Sequence, residues 1–209
     1  MEKKIYMYPL YERLWHWVQA ICIIVLLVTG FNLHFPDRIP IFEYKTVLWA
    51  HIVFGFILIG NTIYGLIGYL ATGDIKHYFP RNIKEYPKNA IKQVRFYTYG
   101  IFKGEPHPIE KTLDQKLNPL QQPAYTTIVF ILLPIQIISG ILIWGPEQFE
   151  SIRNYLGGMK VLVPVHMACA WLFLAFLVMH VYLTTTGHTI FAYTKAMITG
   201  WEETSGGNE

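Results

Sequence analysis

Four stretches of this chain, residues 14–35, 47–71, 120–144 and 161–186, each run for more than twenty residues without one Asp, Glu, Lys or Arg. The hydrocarbon core of a bilayer is about 30 Å thick and a helix rises about 1.5 Å per residue, so about 20 apolar residues suffice to cross it. The chain is therefore expected to form four membrane-spanning helices. Pro134 and Pro164 fit this reading, since membrane helices tolerate proline where a neighbour or a kink satisfies the freed carbonyl. Composition agrees: 15% of residues are charged, against about a quarter in soluble domains. A disordered chain and a disulfide scaffold are excluded, the latter by a count of two cysteines. A net charge of +3 leaves little to neutralise phosphates, so no nucleic-acid partner is expected.

The first span is too long for a signal peptide, lacks a small-residue cleavage site and opens on Leu14-Trp15-His16-Trp17, so it is read as retained. Four spans put both termini on one side. Of the seventeen Lys and Arg, only Arg38, Lys45, Arg153 and Lys160 fall in the two loops of the opposite side; the other thirteen lie in the N-terminal lead-in, the segment 72–119 and the tail 187–209. The positive-inside rule makes that richer side cytoplasmic, and the expected location is a bacterial inner membrane with both termini inside. Segment 72–119 is long for a bare loop. Its stretch 83–102 mixes Lys and Arg with Ile, Val, Phe and Tyr, as an interfacial helix does, and 189–201 repeats the pattern on a smaller scale. Residues 205–209 read as frayed. The chain as a whole, 1–209, reads as a single membrane domain.

Apart from weakly acidic Cys and Tyr, histidine is the only ionisable residue in the spans, and polar groups at that depth are costly and usually functional. His166 and His180 are fourteen residues apart, close to four helical turns, so they share a face about 21 Å apart. Chain direction then matches depths: His51 with His166 near the outer surface, His16 with His180 near the inner one. Imidazoles on facing helices can clamp a haem iron from both sides, which favours electron transfer over oxygen chemistry. The competing readings are interhelical hydrogen bonding, an aromatic-belt position for His16, or another metal. Zinc would gather four ligands at one point, and two depth-matched pairs favour haem. No Cys-x-x-Cys-His occurs, which excludes covalent attachment. His34, His77, His107 and His188 read as surface or interfacial, with approach to a haem propionate or a proton path as the alternative for one of them. Cys22 and Cys169 read as small buried hydrophobes; the span glycines read first as helix-packing positions, and Gly55, near His51, alternatively offers room for a macrocycle beside that ring.

Several elements of the chain resemble the dihaem cytochrome b subunits of nickel-iron hydrogenases, formate dehydrogenases and thiosulfate-type reductases, within the bacterial cytochrome b561 superfamily. They are Arg13-Leu14-Trp15-His16-Trp17, Thr29-Gly30, His51, Asn118-Pro119-Leu120-Gln121, Ser139-Gly140 with Trp144, the His166/His180 pair and the stretch from Lys195 to Gly200. The resemblance implies an all-α, four-helix integral membrane bundle holding two haem b groups, one on His51 and His166, the other on His16 and His180. It also implies a quinone, menaquinone or ubiquinone, beside the inner haem at Asn118, with Gln121 and Tyr125 as neighbours; by its residues alone, an asparagine before a prolyl turn is equally at home as a loop residue or cap.

The expected function is that of a membrane-anchoring subunit relaying electrons between a periplasmic-side redox partner and the quinone pool. That partner would carry iron-sulfur clusters or haems. The chain has no iron-sulfur motif or substrate site of its own, so it reads as an electron-transfer subunit rather than an enzyme alone. The alternatives are a free-standing b561-type quinone oxidoreductase acting on a small oxidant such as superoxide, and a haem-free protein, either a histidine-lined transporter or a structural anchor. A visible spectrum separates the haem-free readings; co-purification of an outer-face subunit separates the free-standing one.

Overall fold

The computed structural model describes residues 3–39, 42–80, 82–105, 108, 112, 116–145, 147–187 and 189–204. Strand β1 (Lys3–Tyr6) leads into helix α1 (Leu10–His34), followed by α2 (Tyr44–Thr72) and, in the long connecting segment, α3 (Tyr86–Thr98). The third long helix, Gln121–Trp144, is built from α4 (Gln121–Thr127), a π-helical turn over Ile128–Leu132 and α5 (Leu133–Trp144). A short α6 (Glu150–Tyr155) precedes α7 (Met159–Thr184), and α8 (Ala192–Thr199) leads into strand β2 (Trp201–Thr204). The four long helices are each long and apolar enough to cross a membrane, as the charge-free stretches predict.

Local sequence explains the breaks. Pro36 lies just past α1, and a residue before proline is pushed out of helical geometry. The π turn sits immediately ahead of Pro134, which has no N–H to return to the preceding turn, so the helix widens there.

The exposure pattern is inverted relative to a soluble protein. On α1, Leu14, Ile21, Ile24 and Val28 form an exposed apolar stripe, while Gln19, Thr29 and Asn32 are buried. Gln122 and Ser139 are buried on the third long helix in the same way. Polar groups inside and leucines outside is what a lipid solvent selects, because only protein can satisfy hydrogen bonds there. The chain is a multi-pass membrane helical bundle.

Helices α1 and α2 approach closely because Gly65 lacks a side chain: a Cβ there would stand 2.1 Å from the Trp15 indole nitrogen. Asn61 of α2 reinforces the seam by donating to the Trp15 carbonyl at 2.9 Å and to Gln19 Oε1 at 2.8 Å. Mid-bundle, Cys22, Leu27, Leu58, Leu132, Leu133, Cys169 and Phe173 form one apolar cluster, and both cysteines are free thiols serving as small apolar packers.

Two local expectations are narrowed and one is corrected. The stretch 83–102 is a shorter helix, α3, followed by a 3-10 turn over Gly100–Lys103; it buries Gln93 and Phe96 and exposes Ile91 and Val94. The stretch 189–201 holds helix α8, and its last residue, Trp201, opens a strand that the sequence did not announce: β2 pairs antiparallel with β1, with Lys3 opposite Thr204 and Tyr6 opposite Trp201. Both ends of the described chain are thereby joined, and Met7 and Tyr8 N–H add bonds to the Gly200 carbonyl. His77, expected at a surface, is buried in a 3-10 turn over Asp74–Tyr78. The expectation of a frayed tail at 205–209 and the positions of His107 and His188 lie outside the described residues.

Candidate functional site

The bundle brings the four membrane histidines together in the two pairs expected. His51 of α2 faces His166 of α7 with ring centroids 6.3 Å apart, and His16 of α1 faces His180 of α7 at 6.0 Å. All four are half-buried. The first pair lies at the end of the bundle away from the sheet, the second at the sheet end.

At the far pair, neighbouring hydroxyls determine which ring nitrogen carries the proton. Thr29 Oγ1 stands 2.7 Å from the Val25 carbonyl and 3.3 Å from that of Leu26, so its single proton is committed to its own helix. The same oxygen lies 2.9 Å from His51 Nδ1 and can only accept there. His51 therefore carries its proton on Nδ1 and leaves Nε2 with a bare lone pair. Ser139 repeats the arrangement: its hydroxyl donates to the carbonyls of Ile135 and Gln136 at 2.7 and 3.1 Å and accepts from His166 Nδ1 at 2.9 Å. His166 Nε2 accordingly accepts a hydrogen bond from the Gln136 amide at 3.0 Å. The next residue matters as well, because a Cβ on Gly30 would stand 3.2 Å from His51 Cε1, and one on Gly140 3.1 Å from His166 Cε1. Each ring is thus seated on a hydroxyl-glycine pair in the helix before it.

A cavity of about 540 Å³ opens between these rings, lined by Gly30, Gly55, Gly140, Gln136 and aliphatic side chains of α1, α2, α5 and α7. A Cβ on Gly55 would meet nothing within 4 Å, so the backbone there borders open space. His34, exposed at the end of α1, also borders this cavity.

At the sheet end, Tyr125 of α4 meets His180 Nδ1 at 2.7 Å, and Phe176 stacks against the same ring. His16 Nδ1 is buried with no hydrogen-bond partner among the described residues. Tyr125 and Ser139 are fourteen residues apart on one helix, as are His166 and His180 on the next, so the two antiparallel helices meet twice at matched depths.

The pairs fit haem ligation. A metal–nitrogen bond of about 2.0–2.1 Å, plus about 1.1 Å from each nitrogen to its ring centre, places two axial imidazole centroids about 6.3 Å apart. Both observed separations lie within a few tenths of that value. Among the described residues no three His, Cys, Asp or Glu side chains converge as a metal cluster, which matches two-ligand sites and not a closed zinc centre.

Asn118 is buried and serves as the cap of α4. Its Oδ1 accepts from the Leu120 and Gln121 N–H at 2.9 and 2.8 Å, and Gln121 Oε1 accepts from the Asn118 N–H at 3.0 Å, a reciprocal capping box. Asn118 Nδ2 donates to the Tyr97 hydroxyl at 3.1 Å. Tyr78 and Tyr97 lie within electrostatic reach of Tyr125. Burial pushes Tyr78 up to about 12, so its phenol is protonated at neutral pH.

Sequence reasoning missed a second polar group at the sheet end. Lys116 Nζ sits 2.7 Å from Glu12 Oε2 and 3.6 Å from Asp74 Oδ2, and His77 Nε2 lies 3.4 Å from Asp74 Oδ1. Burial, with Lys116 nearby, lowers the His77 pKa below its ordinary value. Burial alone would raise Asp74, but the Tyr11 hydroxyl and Lys116 outweigh it and hold the carboxyl below its ordinary range. The missed signal was Glu12, an acid one turn ahead of His16.

The family model for prokaryotic cytochrome b561 matches residues 7–200. The chain is 35% identical to a putative cytochrome, YdhU, of Escherichia coli strain K12, over 95% of this chain and 75% of that one. It is 26% identical to a probable Ni/Fe-hydrogenase B-type cytochrome subunit of Cupriavidus necator, over 86% of this chain and 78% of that one. A formate dehydrogenase cytochrome b556 subunit of Haemophilus influenzae is 23% identical, over 82% of this chain and 66% of its own length.

Proposed function

The chain belongs to the prokaryotic cytochrome b561 family, and from that premise we propose that it is the dihaem membrane subunit of a respiratory oxidoreductase complex, exchanging electrons between a redox partner and the quinone pool. The observation that carries this reading is the pairing of four histidines at 6.3 and 6.0 Å, near the separation two axial imidazoles need. His51 and His166 hold one haem b, and His16 and His180 hold the other. Such a group, bound between two imidazoles, supplies one-electron transfer with no open coordination position.

The protein's own part is to orient and to insulate. Thr29 and Ser139 fix the proton of each far-end ring on Nδ1, which leaves Nε2 as the nitrogen that would hold the metal, at His166 in place of the Gln136 amide. For His180 to offer Nε2 in the same way, Tyr125 accepts from Nδ1 and keeps its own phenolic proton to donate. That proton and the second Asn118 amide hydrogen supply donors for a quinone carbonyl, and Gln121 holds the Asn118 turn in place. The thirteen-to-four division of Lys and Arg supports a cytoplasmic sheet end, with quinone chemistry beside an aqueous proton source and the far-end pair next to a periplasmic partner. Relatives named as hydrogenase and formate dehydrogenase subunits support a partner of that kind.

The test is haem content after single ligand replacements. His51→Ala or His166→Ala should lose about half the haem and keep the sheet-end spectrum; His16→Ala or His180→Ala should do the converse. Four variants with wild-type haem content would overturn the assignment.

A further inference from the structure

Glu12 is the single carboxylate in the four long helices. It is 7% exposed, and all its partners can carry or relay a proton. Lys116 Nζ lies at 2.7 Å from Oε2, and the Tyr69 hydroxyl donates to Oε1 at 3.1 Å. Lys116 is itself 8% exposed and reaches Asp74 at 3.6 Å, whose Oδ2 also accepts from Tyr11 at 2.6 Å. Tyr8, which donates to buried Glu202 at 3.1 Å, faces Glu12 electrostatically from the β1 side. His77, 5% exposed, has no hydrogen bond on either ring nitrogen among the described residues and points one of them at Asp74 from 3.4 Å.

Exposure falls along this series. The Asp74 side chain is 20% exposed, those of Lys116 and Glu12 are each 9%, and beyond Glu12 the Tyr69 ring packs edge-on against Tyr78 at 5.5 Å. The series thus runs from the water at the sheet end to the tyrosines near Tyr125, and Lys116 is two residues from Asn118. Buried ion pairs contribute little net stability, since apolar replacements are often as stable. Ionisable groups set into a membrane bundle more commonly mark a proton or ion path.

Resting on the quinone reading above, we propose that Glu12 is a proton carrier for quinone chemistry, loaded from the aqueous surface through Asp74 and Lys116. Reduction of one quinone consumes two electrons and two protons and yields one quinol. The electrons come from the redox partner through the cytochrome. Each proton leaves the Glu12 carboxyl, is passed inward by way of Tyr69, and ends on a quinone oxygen; the carboxylate left behind is reprotonated from water along Asp74 and Lys116. Quinol oxidation runs the same transfers in reverse.

The experiment uses the full, haem-loaded chain, reduced and then mixed with menadione in a stopped-flow instrument. Glu12→Gln should keep wild-type haem content and spectrum but be reoxidised at least tenfold more slowly. Glu12→Asp should recover part of the rate, and Lys116→Met should also be slow. Redox-difference infrared spectra should show a carboxyl C=O band that Glu12→Gln removes. Wild-type reoxidation in Glu12→Gln, or no infrared band assignable to Glu12, overturns the proposal. A slow rate that merely follows lost haem identifies a structural latch and overturns it too. If wild-type protein itself does not react with menadione, the quinone reading fails, and this proposal with it.

Discussion

A hydroxyl whose proton is committed to its own helix leaves the facing histidine one choice of tautomer, and Thr29 and Ser139 impose that choice on His51 and His166. Replacing Thr29 with Val, or Ser139 with Ala, removes a hydrogen bond worth roughly 0.5–1.5 kcal/mol and frees the ring to rotate. The expected result is weaker haem retention and a shifted midpoint potential at the far-end pair, with the sheet-end potential unchanged; redox titration of each variant checks this. Gly140→Ala should act on the same pair by another route, since a Cβ 3.1 Å from His166 Cε1 displaces the ring. His77 predicts a pH effect. Burial and Lys116 depress its folded pKa below the ordinary 6.5, so the unfolded chain binds the proton more readily, and stability is lost as pH falls through 6.5 towards the folded value. Thermal unfolding in detergent should show an acid-side loss that His77→Gln reduces.

Elements differed in how plainly the sequence announced them. The long helices were legible because a charge-free run of more than twenty residues is what a bilayer crossing demands and what a soluble domain seldom contains. The histidine pairs followed from helical period and alternating direction. The β1–β2 sheet was not legible, because four-residue strands at opposite ends of the chain give no periodic signal. Lys116 was hidden by its chemistry: a lysine in a basic segment reads as a solvated charge, and only the fold reveals its carboxylate partner 104 positions earlier. The repeated hydroxyl-glycine pairs, Thr29-Gly30 and Ser139-Gly140, were visible as motifs, but their action on the following helix's histidine needed the packing. The α1–α2 seam carries its own prediction. Gly65→Leu would drive a side chain into the Trp15 indole, and overpacking of this kind costs about 1–3 kcal/mol. Because His16 follows Trp15 directly, the variant should unfold at lower temperature and lose sheet-end haem first, as followed by melting and absorption spectra.

At the scale of the whole molecule, the bundle sets two histidine pairs at opposite ends of an apolar middle, with the Tyr69, Tyr78 and Tyr125 rings and, among the described residues, the buried Glu12–Lys116 charge network at the sheet end. That asymmetry suits a protein that exchanges electrons alone at one surface and electrons with protons at the other. Electron transfer through the bundle depends first on both pairs being filled. Haem quantified per chain in the purified wild-type protein, together with low-temperature electron paramagnetic resonance of the oxidised form, checks this. Two haem b per chain are expected, both low-spin with two imidazole ligands. One haem per chain, a high-spin signal, or no haem would contradict the dihaem assignment.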